Sequence, residues 1–87
     1  MINADERSDL IHIMKMNCLS LVDSDSAQLE FTGRVNDRNY EIKILAVDSS
    51  PQLIIHSSGE VISCEILRSV DDLKIFLDER LYQFFDV

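Results

Sequence analysis

Basic residues are scarce in this chain. Lysine and arginine together number 8 against 16 aspartates and glutamates, which leaves a formal net charge of −8 over 87 residues. That shortage argues against direct binding to a nucleic-acid backbone, a contact that needs cations to neutralise phosphates. It argues equally against docking on anionic lipid. The charge favours encounter with a basic partner, although solubility alone also selects acidic surfaces. Proline occurs once and glycine twice, so the composition leaves no room for a flexible linker. No apolar run approaches the roughly 20 residues needed to span a bilayer. The stretch from Met1 to Asp9 is polar and acidic, without the basic and apolar regions of a secretory signal. Cysteine is limited to Cys18 and Cys64, too far apart in sequence for a CxxC-type metal or redox pair. The expectation is a cytoplasmic protein with two reduced, buried thiols.

What remains is a globular composition, 46% hydrophobic and 28% charged, and a length suited to one domain, residues 1–87, with one modest core. Asn3 can cap a first helix, with Glu6 as its capping-box partner and Asp5, Glu6 and Asp9 suited to the positive end of the helix dipole. Leu10, Ile13, Met14 and Cys18 fall on one helical stripe, though Leu10 to Met16 also alternates in part as a strand would. Asn17 is the expected stop, because asparagine tolerates the left-handed conformation.

Short strands separated by turn residues follow. Leu19 to Asp23 is the first, before Ser24-Asp25-Ser26. Ala27 to Val35 alternates, with Leu29, Phe31, Gly33 and Val35 on one side and Gln28, Glu30, Thr32 and Arg34 on the other. After a turn at Asn36 to Asn39, Tyr40 to Val47 sends Tyr40, Ile42 and Ile44 inward and Glu41 and Lys43 outward. Asp48 to Pro51, then Ser58-Gly59, bracket a strand at Gln52 to Ser57, and Val61 to Leu67 is the fifth. Ser69 caps a second helix over 70–85, with Asp72 completing a capping box and Val70, Leu73, Leu77, Leu81 and Phe84 as its apolar face. Short turns force neighbouring strands antiparallel. The fold expected is α+β: an antiparallel four- to five-stranded meander with an N-terminal and a C-terminal helix packed on one face, in the order α-β-β-β-β-β-α.

Signatures of catalysis are missing. The sequence holds no phosphate loop, HExxH, G-x-S-x-G or EF-hand loop. His12 and His56 sit in apolar segments, and neither Cys18 nor Cys64 has a histidine arranged beside it in sequence. Asp23-Ser24-Asp25 lacks the glycine and distal glutamate of a calcium loop. We expect no enzyme, no cofactor and no metal.

The meander itself yields a binding surface. In an up-and-down sheet the turns at 23–26 and 48–51 share one end, where the fifth strand finishes and both helices begin. Asp5, Glu6, Asp9, Asp23, Asp25, Asp48, Asp71 and Asp72 would then form one acidic rim, with Arg34, Arg38 and Arg80 at the opposite end. Ordinary capping and turn chemistry accounts for many of those acids equally well. A second surface is the helix-free face of the sheet, carrying Glu30, Arg34, Glu41 and Lys43 beside Gln28 and Thr32. An exposed sheet edge also offers a route to a homodimer.

Asp9, Leu10 and Ile11 in the first helix, then Arg34-Val35-Asn36-Asp37 and Asn39-Tyr40-Glu41 around a hairpin, give the first 45 or so residues a further reading. In these strings the chain resembles small acidic phage-encoded anti-CRISPR proteins. Ser69 to Val87 departs from that family's dense acidic run, being an amphipathic helix with Phe76, Phe84 and Phe85. The resemblance implies an inhibitor in the host cytoplasm whose carboxylates stand in for phosphates in a basic, nucleic-acid-binding groove of a bacterial defence complex. Two alternatives stay open: an immunity protein or antitoxin neutralising a toxic nuclease, and an assembly module that dimerises through its sheet.

Overall fold

The computed structural model describes residues 2–25, 27–47 and 50–85. Its elements run α1 (Ala4–Met16), β1 (Leu19–Ser24), β2 (Gln28–Val35), β3 (Arg38–Val47), β4 (Ser50–Ser57), β5 (Glu60–Ile66) and α2 (Val70–Phe85). The strands form one open antiparallel sheet in sequence order, β1-β2-β3-β4-β5, as the short turns require.

The Leu10–Met16 segment is helical. Asn3 Oδ1 accepts from Glu6 N–H at 2.8 Å while Glu6 Oε1 accepts from Asn3 N–H at 3.1 Å, so the expected capping box is complete. The helix stops differently from expectation. Asn17 keeps φ at −101°, and its side-chain amide donates to Ile13 O at 2.8 Å. Cys18 is the residue that turns left-handed, at φ 66°. At α2 the structure shows one half of the expected box, Asp72 N–H donating to Ser69 Oγ at 3.2 Å.

Alternation along β2, β3 and β4 puts Leu29, Phe31, Tyr40, Ile42, Ile44, Leu53 and Ile55 on the face covered by the helices. Leu10 and Met14 of α1 and Leu73, Leu77 and Leu81 of α2 complete this core. At its far end Phe85, not Phe84, is the buried aromatic. Its ring meets Tyr40 edge-on at 4.7 Å, and Tyr40 Oη donates to Phe84 O at 3.3 Å.

The β2–β3 turn is tighter than the expected Asn36–Asn39. Asn36 and Asp37 alone form it, at φ 52° and 64°, and β3 begins at Arg38. Ser58 and Gly59 repeat this geometry between β4 and β5, at φ 54° and 80°. The thiols are another departure, for Cys18 and Cys64 are both exposed. Cys18 lies in the helix-to-strand connection, and Cys64 opposes Ile54 on the face away from the helices.

Candidate acidic interface

The strand order carries the end of β1, the start of β2, the end of β5 and the starts of both helices to one end of the sheet. Side-chain contacts fix these segments to one another. Arg7 Nη2 on α1 donates to Asp25 O at 3.2 Å, tying the helix start to the β1–β2 turn. Lys74 Nζ on α2 donates to Asp9 Oδ2 on α1 at 2.8 Å and lies 4.0 Å from Asp71 Oδ1. Asp5, Glu6, Asp9, Asp23, Asp25, Asp71 and Asp72 thus share one end. Asp48 lies outside the described residues.

That end is less uniformly acidic than the sequence pattern implies, because Arg7, Arg68 and Lys74 stand among its carboxylates. Several acids also have local work. Glu6 completes the α1 cap. Asp23 Oδ1 accepts from Ser24 N–H at 2.9 Å, and Asp25 Oδ1 accepts from Ala27 N–H at 2.8 Å in an Asx turn. Asp9 holds Lys74, whose ammonium is raised above its ordinary value of 10.5 chiefly by that hydrogen bond. Desolvation opposes the rise, and the charges of Asp9, Asp71 and Glu6 add to it. Sequence spacing could not reveal this clasp, because Asp9 and Lys74 are 65 residues apart.

Among the described residues, no group of three or more His, Cys, Asp or Glu side chains is placed to hold a metal ion. The carboxylates are spread along the end of the fold. None of the hydrogen bonds among the described residues joins a histidine to a cysteine. Cys64 Sγ instead accepts from Gln52 Nε2 at 3.2 Å, and His56 opposes Glu41 and Val61 in register. No helix among the described residues is long and apolar enough to cross a membrane. An open groove of about 290 Å³ runs between α2 and the end of β5, lined by Leu67, Arg68, Asp72, Phe76 and Arg80 among others.

On the helix-free face, Glu30 opposes Lys43, Thr32 opposes Glu41 and Arg34 opposes Asn39. This β2–β3 half is mixed in charge, as expected. The β4–β5 half differs from that expectation. There Ile54, Val61, Ile62, Cys64 and Ile66 point away from the helices, and Val61 and Ile66 are 57% and 71% exposed. The signal lies in the V-I-x-C-x-I pattern of Val61 to Ile66, which has the character of a buried face although it lies on the side of the sheet opposite the helices.

No protein-family model matches the chain, and neither a curated protein nor a solved structure matches it.

Proposed function

We propose that this protein is a small non-catalytic inhibitor that sets its acidic end on a basic, nucleic-acid-binding surface of another protein. The observation that carries this reading is the convergence of Asp5, Asp23, Asp25, Asp71 and Asp72 from three separate segments onto one end of a sheet. The contacts of Arg7 with Asp25, and of Lys74 with Asp9 and Asp71, hold those segments in place. Carboxylates carried on segments fixed in advance need less backbone ordering on docking, which suits a stand-in for a phosphate backbone. Their like charge steers a basic partner and repels acidic ones. A bacterial defence complex and a toxic nuclease both present such a surface, and the same acidic end would serve an anti-defence protein or an immunity protein.

The test uses the tagged 87-residue chain as bait in lysate of the bacterium in which it acts, at about 0.05 M and about 0.5 M salt, a range over which contacts between exposed charges are progressively screened. The reading predicts capture of a basic nucleic-acid-binding protein at low salt, its loss at high salt and its displacement by added DNA or RNA. A partner held equally at both salt concentrations and indifferent to nucleic acid would overturn it. The captured protein itself separates a defence complex from a toxic nuclease.

A further inference from the structure

We infer that β5 pairs with β5 of a second copy, antiparallel about a two-fold axis at Cys64, to make a continuous ten-stranded sheet. β5 is an edge strand. Its sequence, EVISCEI, carries neither proline nor lysine, two common guards against edge pairing. Both edges carry a register shift and acids, β5 through Glu60 and Glu65, but only β1 has a helix, α1, packed against it. β5 also reverses the usual pattern. Ser63 and Glu65 lie on the helix side, and Val61, Ile62, Cys64 and Ile66 on the open side.

Register chooses among the ways two such edges can meet. If both copies keep their helices on the same side of the sheet, the axis is perpendicular to it and passes midway between the two copies of one residue, which pair with each other. Centred on Ile62, the pairing sets Glu60 against Cys64 and leaves Ile66 facing Ser58 in a turn. Centred on Ser63, it sets Val61 against Glu65 and Glu60 against Ile66. Centred on Cys64, it sets Ile62 against Ile66 on the open face and Ser63 against Glu65 on the helix side. It also carries Arg68 of each copy toward Glu60 of the other. Of these three registers, only the last joins apolar to apolar and cation to anion. The shift between Ile55 and His56 leaves Ile62 without a partner on β4, so the regular pairing spans Ile62 to Ile66. Each copy carries −8, and the two-fold sends the two acidic ends to opposite ends of the joined sheet, which limits their repulsion. An interface of this kind is small beside the roughly 800 Å² per partner of a standard one, so the dimer dissociates on dilution.

Opposed residues in antiparallel strands have Cα atoms about 4.5–5.5 Å apart, within the roughly 4.4–6.8 Å that a disulfide spans. Cys64 therefore reports the register. The experiment combines analytical ultracentrifugation up to about 0.5 mM protein, where a Kd near 1 mM still leaves measurable dimer, with mild oxidation of Cys18→Ser and Cys64→Ser variants. Expected are a concentration-dependent dimer, cross-linking in Cys18→Ser and none in Cys64→Ser. Arg68→Glu should weaken the dimer about tenfold, and Arg68→Glu with Glu60→Arg should restore it. A monomer throughout, a dimer that Cys64 does not cross-link, or indifference to Arg68→Glu overturns the proposal. Circular dichroism of each variant separates loss of pairing from loss of fold. Self-association of the isolated chain and capture of a partner are read separately, so failure of one proposal is distinguishable from failure of the other.

Discussion

Two backbone demands meet where α1 hands over to β1. Cys18 adopts a left-handed conformation at φ 66°, and its carbonyl oxygen occupies the space a Cβ would need at Gly33, the residue opposite Leu19 on β2. Replacing Cys18 by glycine should stabilise the protein by roughly 0.5–1 kcal/mol. Left-handed strain of about 1–2 kcal/mol is relieved, and glycine's greater loss of freedom costs about 0.5–1 kcal/mol of that gain. Gly33→Ala should destabilise by about 1–3 kcal/mol, since the new methyl meets backbone at Cys18 and comes within 2.8 Å of Leu19 Cδ2. Urea unfolding at constant m-value measures both, and opposite signs are expected. Neither demand is legible in the sequence. Asn17 is the better left-handed residue by type, and it is diverted by its own hydrogen bond to Ile13 O. By spacing Cys18 continues the helical stripe, but the left-handed turn at that residue carries its side chain off the stripe into solvent.

The elements themselves are largely legible, because each has a local cause. Clean alternation marks β2 and β3, a capping box starts α1, and apolar residues at helical spacing mark α2. What local causes miss is which face of the sheet a strand's apolar side chains take. Val61 to Ile66 has the composition of a covered strand, yet its apolar side chains project from the face opposite both helices. The link between the helices is likewise a long-range matter. The raised Lys74 ammonium favours the folded state below its ordinary value of 10.5, and that contribution is lost as pH rises through the higher folded value. The melting temperature of the native chain should therefore fall on raising the pH above 10.5 more steeply than that of Asp9→Ala, which lacks both the charge and the hydrogen bond. Parallel curves for the two proteins would show that the clasp contributes nothing to stability.

For the whole molecule, strand order turns a net charge into a directed one. The short turns imply an up-and-down sheet, and that sheet implies a common end for half of the acids, so the gathering of carboxylates is legible in the sequence. The counter-charges are not, because Arg7 reaches the backbone carbonyl of Asp25, and Lys74 the carboxylate of Asp9, across the fold. Their presence narrows the candidate contact to the acids they leave unclaimed and to those whose turn geometry an amide can preserve. Neutralisation by asparagine keeps an oxygen acceptor at Asp23 and Asp25, so the triple variant Asp5→Asn, Asp23→Asn, Asp25→Asn removes charge from the acidic end while retaining its turns. The variant Asp37→Asn, Asp78→Asn, Glu79→Gln removes the same charge from exposed positions elsewhere. The most direct measurement is the affinity of both triple variants, beside the native chain, for the captured partner. The account predicts that the acidic-end variant loses at least about tenfold, roughly 1.4 kcal/mol, and that its matched control binds like the native chain. Equal losses in the two would mean that net charge alone governs binding, and no loss in either would mean that the acidic end is not the contact.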